Sequence, residues 1–540
     1  MRLGYAWLAF GLLLHLNLYL ELGQAANILG VFPYRIPSPF QMVRPLIKAL
    51  VERGHKVTMV TPADYPAKID GVRHIRVPML NQLMQNLMKN DQFFDALGDK
   101  WREGVLVSTI FYNVSHAILN NNGVQMLMRD KSIRFDMIMV EASHLDALYG
   151  LAEFYNATLL GISCMHMTWH IDYLAGNLAP SVYEPISPNG FALDNTFLSR
   201  WSNWIYITEE KLLERLVFRP AQVRLFKKFF GYPAEKLDEL RARFSVILVN
   251  SHFSMGRVRA NVPNIIEVAG VHLSEPPEPC GAELQKYLDE AEHGAIYFSM
   301  GQDILIKYLP ENMQKQLLLV FLQMKQRVIW KSELSMLANK SENIYVMDKV
   351  PQRMVLAHPN LRLFITHGGL QSVMEAIDNG VPMLGLPLFF DQFNNIHRVQ
   401  LAGMAKVLDP NDLNADTLIE TIKELLENPS YAQRAKEMAA SFRDRPMSPL
   451  DTAIWWTEYA LRNRDTSHMR LNVEEIPLMR YYRLDSILTF GVRLGCVCGS
   501  LIFLGWRLYQ KNRNRHTRLQ ERERVIAQIQ LGLSNYEVVS

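Results

Sequence analysis

Short apolar runs alternate with segments of helical spacing along this chain, in two successive series. That alternation constrains the fold more than any other feature. In the first series Asn27–Phe32 reads as a buried strand, and Phe40–Glu52 follows with Met42, Val43, Leu46, Ala49 and Leu50 at helical spacing. Gly54-His55 ends that helix and Val57–Thr61 is the next strand. A strand–helix–strand unit of this kind starts a parallel sheet. Phe135–Val140 and Ser245–Asn250 are further apolar strands, and 190–240 reads as helical. The run from Ser274 to Cys280 (Ser-Glu-Pro-Pro-Glu-Pro-Cys) breaks the pattern as a linker does. A second series follows, with strands at Ala295–Met300, Arg327–Trp330, Leu363–Thr366 and Pro382–Leu386. Helical segments separate them at Glu311–Met324, Ser372–Asn379, Asn394–Ala402, Thr417–Leu426 and Tyr431–Phe442. The expectation is an α/β chain of two doubly wound domains, 27–273 and 291–480, joined by a link over 274–290. Two such domains facing each other leave a cleft at the carboxyl ends of their strands, where ligands of open α/β sheets sit.

Composition narrows the classes. The 540 residues are 49% hydrophobic and 21% charged, which excludes a mostly disordered chain. With 57 Lys+Arg against 54 Asp+Glu the net charge is only +3, which argues against a nucleic-acid partner. Four cysteines (Cys164, Cys280, Cys496 and Cys498) exclude a disulfide scaffold, and no Cys/His spacing matches a structural zinc site.

Both ends address a membrane. Met1-Arg2, an apolar run from Leu8 to Leu20 and small residues up to Ala26 read as a cleavable secretory signal over 1–26. Ser486–Trp506 is apolar and long enough to cross a hydrocarbon core of about 30 Å. Arg493 interrupts it off-centre, where the side chain can snorkel. Arg507, Lys511, Arg513, Arg515 and Arg518 follow with no acid between them, so the positive-inside rule places 507–540 in the cytosol and the large N-terminal part in the lumen. A soluble protein with an amphipathic tail is the alternative. Three sequons, at Asn113, Asn156 and Asn339, fit lumenal exposure.

The densest constellation of chemistry-bearing residues runs from Phe364 to Gln392. A strand ends at Thr366, His367-Gly368-Gly369 makes a tight turn, and a helix starts near Ser372. Free N–H groups at a helix start, with glycine beside them, form an anion site. His367 adds a donor, Ser372 a hydroxyl, and Glu375 one turn on is placed to accept from a ribose hydroxyl. Asp391 and Gln392 follow the next strand and fit the donors and acceptors of a polyol. Neither a dinucleotide-binding nor a P-loop glycine pattern follows the first strand of either series, which disfavours a nicotinamide or ATP enzyme.

The Phe364–Gln392 run resembles the nucleotide-sugar signature of UDP-glycosyltransferases. Tyr297–Gly301, Val328–Lys331, Pro351-Gln352 with Leu356–Pro359, Asp451–Tyr459, Arg53–Val57 and Leu248–His252 resemble the same family, closest to its membrane-bound animal type and insect-like in two of these runs. The resemblance implies a GT-B fold with the acceptor in the N-terminal half and the UDP-sugar in the C-terminal half. It implies that His367 and the backbone around Gly369 and Ser372 hold the diphosphate, with Gly301 among the contacts. Glu375 would hold the ribose, Gln352 would border the uridine, and Asp391 and Gln392 would hold sugar hydroxyls. No cofactor beyond the UDP-sugar co-substrate and no metal is implied; the acceptor would be a small lipophile. Residence in the endoplasmic reticulum membrane as a single-pass type I protein follows, with homo- or hetero-oligomers left open.

Three positions depart from the family. Its base His aligns with Pro39, which cannot take a proton, while the orienting acid aligns with Glu141. His144, three residues past Glu141, is a candidate substitute base. Lys349-Val350 replaces the aromatic that stacks on uracil, unless Trp330 compensates, and Gln302 stands where the family has Ser. Three readings stay open: a working transferase of hexose to lipophilic acceptors with inversion, a weakened binder of UDP-sugar or lipophile, and a non-enzymatic membrane partner of an active relative.

Overall fold

The computed structural model describes residues 25–33, 37–63, 68–88, 100–177, 196–255, 259–301, 309, 311–332, 341–388, 391–471 and 483–537. The expected signal, apart from Ala25 and Ala26, lies outside them, as do Gln302 and the sequon at Asn339.

Thirteen strands among the described residues form two sheets. The first holds β1 (Asn27–Val31), β2 (Lys56–Pro62), β3 (Val72–Val77), β4 (Met137–Glu141), β5 (Thr158–Ser163), β6 (Val246–Val249) and β7 (Ile265–Glu267), in the order β3-β2-β1-β4-β5-β6-β7. The second holds β8 (Ala295–Ser299), β9 (Arg327–Lys331), β10 (Ile344–Met347), β11 (Leu361–Thr366), β12 (Met383–Gly385) and β13 (Ala405–Val407), in the order β10-β9-β8-β11-β12-β13. Neighbouring strands pair in parallel throughout; Ile28 lies opposite both Val57 and Met137, and Phe364 opposite Tyr297.

The inner strands are apolar because helices cover both faces of a parallel sheet. Along β4, Met137 and Met139 face one core while Ile138 and Val140 face the other. Along β8, Ala295 and Tyr297 face one core, Ile296 and Phe298 the other, with the period of two that a strand imposes. Each sheet grows outward from its first strand and then returns to that strand's other side. The reversal falls between β1 and β4 in the first sheet and between β8 and β11 in the second. A crevice opens at the carboxyl ends of the strands at such a reversal.

Helix α1 (Pro37–Glu52) links β1 to β2 and buries Val43, Leu46, Ile47 and Leu50. Its first turn carries Pro37 and Pro39, where a missing N–H costs no helical bond. Helices α2 (Trp169–Ala175) and α3 (Phe197–Leu213) follow β5. In the second half, α4 (Gln352–Leu356) precedes β11, α5 (Leu370–Asp378) joins β11 to β12, and α6 (Gln392–Leu401) joins β12 to β13. Helix α7 (Pro449–Arg462), counted with the second domain in the sequence, packs Ala453, Ile454 and Ala460 into the core beneath α1. Its Glu458 takes a two-pronged bond from Arg53, at 2.5 and 3.0 Å.

Residues 472–540 form a separate unit. Within it α8 (Leu484–Glu537) runs 54 residues. It is the one helix among the described residues long and apolar enough to cross a membrane, with mean hydropathy 2.0 over its most apolar window. It contains the expected span Ser486–Trp506 and continues unbroken through the basic segment beyond.

Candidate functional site

The reversal in the second sheet brings two loops together. β8 leads to Gly301, whose φ of +86° suits glycine, and β11 leads through Thr366 to His367. The imidazole of His367 is clamped between two glycines: a Cβ at Gly301 would stand 2.8 Å from its Nε2, and one at Gly369 2.5 Å from it. Neither position tolerates a side chain without moving the ring. Gly368, at φ +85°, makes the turn between them, and a Cβ there would meet the Gln392 carbonyl at 2.8 Å. Gly369 caps α5, whose first N–H groups have no partner within the helix and carry the positive end of its dipole. Lys331, at the end of β9, donates to the Gly301 carbonyl at 2.5 Å. Burial, and then the Lys331 ammonium, pushes His367 down to about 4. The ring is neutral at pH 7 and carries a single N–H, which has the Ser299 backbone as a partner. The cradle sets a fixed cation and a helix start beside that ring, which suits a diphosphate.

One turn along α5 the polar groups form a chain. The Tyr297 hydroxyl donates to Gln352 Oε1 at 3.1 Å, and Gln352 Nε2 donates to Glu375 Oε2 at 2.7 Å and to Ser372 Oγ at 3.0 Å. Glu375 is buried, and burial raises its carboxyl to about 7 despite the Gln352 bond and Arg353, which act the other way. His272 lies 3.8 Å from Glu375 Oε1; burial and Arg353 hold it down to about 3, so it stays neutral.

Asp391 and Gln392 begin α6 and are tied to the same turn. Asn395 Nδ2 donates to the Gly368 carbonyl at 3.1 Å and to Asp391 Oδ2 at 2.9 Å. Gln392 Oε1 accepts from the Leu388 N–H at 2.8 Å. Burial raises the Asp391 carboxyl. Gly301, Gln352, His367, Gly369, Ser372, Glu375, Asp391 and Gln392 therefore gather around one reversal point, from segments spread over ninety residues of sequence.

Trp330, by contrast, is fully buried between Phe298 and Phe321 and presents no stacking face. Lys349 is exposed.

The first sheet repeats the topology with different residues. Glu141 ends β4 beside β1, is 2% exposed and accepts from the Cys164 N–H at 3.2 Å. Pro39 occupies the first turn of the helix that follows β1. His144 is not paired with Glu141: its Nδ1 stands 2.7 Å from Glu214 Oε2, and its ring packs on Phe218 and His170. Between the halves, Arg398 on α6 donates to the ring of His166, after β5, at 2.8 Å. A cavity of about 320 Å³, lined in part by Thr158, Ser245, Arg243 and Arg470, opens at the amino ends of β5 and β6, the opposite end of that sheet from Glu141.

Sequence reasoning missed three contributors. Lys331 sits at a strand end whose place beside β8 shows only in the sheet order. Tyr297 reads as core and is core, yet its hydroxyl reaches Gln352. Asn395 carries no motif of its own beyond its i+4 spacing from Asp391.

The family model described as UDP-glucoronosyl and UDP-glucosyl transferase matches residues 31–523. UDP-glucosyltransferase 2 of Dactylopius coccus is 30% identical over 514 residues, covering 91% of this chain and 96% of that protein. The 2-hydroxyacylsphingosine 1-beta-galactosyltransferase of Rattus norvegicus is 29% identical over 486 residues, covering 88% and 87%. Among solved structures, the kitacinnamycin glycotransferase aligns with a TM-score of 0.56 at 17% identity, over 81% of this chain and 100% of that one, a likeness of fold. With a family model matched over nearly its whole length and a matching fold, the chain belongs to the UDP-glucuronosyl and UDP-glucosyl transferase family and is a glycosyltransferase of the GT-B fold.

Proposed function

We propose that the chain transfers a hexose, glucose or a close relative, from its UDP conjugate to small lipophilic acceptors, with inversion at the anomeric carbon. Its α/β halves lie in the lumen of the endoplasmic reticulum and α8 crosses the membrane. One observation carries this reading: the His367 ring held between Gly301 and Gly369, beside Lys331 and the start of α5. As the bond to the anomeric carbon breaks, negative charge grows on the departing diphosphate. Donors and a cation fixed in place beforehand stabilise that charge without reorganising. Glu375, once ionised, accepts from the ribose hydroxyls, Gln352 borders the uridine, and Asp391 and Gln392 orient the hexose. The Dactylopius coccus relative is named for glucose transfer, which supports glucose; the rat relative is named for transfer to a sphingosine, which supports a lipophilic acceptor.

The acceptor must still lose a proton. A hydroxyl needs a base to do so, whereas a neutral amine is already nucleophilic and loses its proton late. Pro39 supplies no base, so amines outrank phenols as acceptors in this reading. The same residue favours a second reading, a binder that turns over slowly. Titration with UDP-glucose and UDP-glucuronic acid, with turnover measured on a panel of phenols and amines, separates the two. Saturable binding with turnover, faster on amines, is the expected result. Binding without turnover on any acceptor selects the second reading, and absence of binding overturns both.

A further inference from the structure

His144, His170 and Glu214 come from three separate elements: the loop after β4, the first turn of α2, and the helical turn that continues α3. One potential ligand atom from each lies within 4.8 Å of the other two. All three residues are more than nine-tenths buried, at 5%, 2% and 7% exposure. The ring centroids of His144 and His170 are 4.1 Å apart. His144 Nδ1 stands 2.7 Å from Glu214 Oε2, and the His170 ring lies within reach of the Ser143 backbone. One buried polar atom from each of the three residues thus faces a common point. Such a group in a native interior calls for an unseen water or ion.

The surroundings are those of a ligand set rather than of an ordinary ion pair. Arg241 binds the other oxygen of Glu214 and also faces Asp146 at 3.4 Å, which orients the carboxylate from behind. Phe111 and Phe218 pack on His144 and close the outer layer. The helix widens at this place: the Arg219 N–H returns to the Glu214 carbonyl, five residues back, in a turn common at functional sites.

We propose that His144, His170 and Glu214 bind one divalent transition-metal ion, Zn2+ by ligand chemistry, in the acceptor half of the molecule. Two imidazole nitrogens and one carboxylate oxygen are a usual Zn2+ set, and a tetrahedron with bonds of about 2.0–2.1 Å places its ligand atoms roughly 3.3 Å apart. Small side-chain rotations reach that spacing. The ion ties the β4 loop to α2 and to the end of α3. With three protein ligands, the fourth position of the tetrahedron falls to a water, and the burial of all three residues keeps the ion from bulk solvent. The spacing, 26 residues and then 44, matches no short motif.

The test uses the full chain in detergent, stripped with a chelator and titrated with Zn2+ and with Co2+, which reports tetrahedral ligation by its visible spectrum. About one Zn2+ per chain is expected, together with a rise in melting temperature, and His170→Asn and Glu214→Gln are expected to weaken Zn2+ affinity at least ~100-fold. Since the chain holds 15 histidines, metal retained with undiminished affinity in either folded variant would mean adventitious sites and would overturn the proposal. Wild-type chain that takes up no Zn2+ would also overturn it. If neither variant folds, X-ray absorption on the Zn2+-loaded wild-type chain decides: two imidazoles in the first shell support the site, and none overturns it.

Discussion

Replacing Glu375 by Gln separates what this side chain costs the fold from what it gives the ligand. The carboxyl is 6% exposed and sits at about 7 in the folded chain, against about 4.5 unperturbed, because burial disfavours its charge. Below about pH 4.5 both folded and unfolded chains hold the proton, and the group is neutral to stability. Between there and pH 7 the unfolded chain releases the proton while the folded chain keeps it, so stability falls as pH rises. Above pH 7 the full penalty is in place, up to about 3 kcal/mol for a gap of roughly two and a half pH units. Glu375→Gln removes this term. The variant should match the wild type near pH 4.5 and exceed it at pH 8, with the C-terminal half melting several degrees higher. The amide oxygen still accepts from Gln352 Nε2.

Binding should change in the opposite direction. An ionised carboxylate accepting ribose hydroxyls makes charge-assisted bonds worth about 1.5–3 kcal/mol, so at pH 8 UDP affinity should fall roughly 10- to 100-fold in the variant. At pH 6, where the wild-type carboxyl is mostly protonated, the gap between the two should narrow. Thermal unfolding and UDP calorimetry at pH 5, 6 and 8 give both curves. Parallel stability profiles of wild type and variant would refute the buried-proton argument. Unchanged UDP affinity at pH 8 would refute the ribose contact.

Gly369→Ala adds a methyl 2.5 Å from His367 Nε2 at a position whose backbone accepts any residue, so UDP-sugar affinity should drop at least about tenfold, with a stability loss of about 1–3 kcal/mol from displacing the ring; an unchanged affinity would show that the ring is not a ligand. Lys331→Met should weaken UDP about tenfold, flatten the salt dependence of binding and leave uridine affinity alone, as isothermal titration with both ligands would read; equal losses for both would deny a phosphate contact. Pro39→His should raise turnover on phenols by about 100-fold, and far more than turnover on amines, because a general base contributes about that much only where the proton must leave early. Similar gains on both acceptor classes, or none, would mean that Pro39 does not stand at the base position.

Inner strands were legible because both their faces are buried and their residues run apolar without interruption. The strands that escaped are instructive. β3, Val72-Arg-His-Ile-Arg-Val77, lies at a sheet edge and exposes Arg73, so its pattern reads as a polar loop. β7, β10 and β13 are the other three edges and span only three or four residues. β5 is central and fully buried, but Gly161 breaks its apolar run; the glycine is there because a Cβ would press within 2.9 Å of Phe244. The turn and helix start at His367 were readable because strand, turn and helix follow one another in sequence. The hydrogen bond from Tyr297 to Gln352 was not, since it depends on β8 lying next to β11. The His144–His170–Glu214 cluster was hidden for the same reason, its members being distant in sequence and joined only by packing.

The two sheets pose the same geometric problem and answer it with materials that differ in tolerance. In the second, the reversal point is occupied by a ring clamped between glycines, with Asn395 bracing the turn against Asp391. Nearly any change there displaces the imidazole, so loss of function would come with local distortion. In the first, the corresponding point has the buried carboxylate of Glu141, and the base would be a single side chain on the opening turn of α1. That turn has unbonded N–H groups in any case, so proline fits it without breaking a backbone bond. Exchange of a base for Pro39 therefore alters chemistry while leaving the fold undisturbed. On the proposed function, that asymmetry lets a donor cradle coexist with an acceptor site that lacks the expected base, and acceptor nucleophilicity, rather than donor affinity, is then the property by which this chain should differ from its relatives.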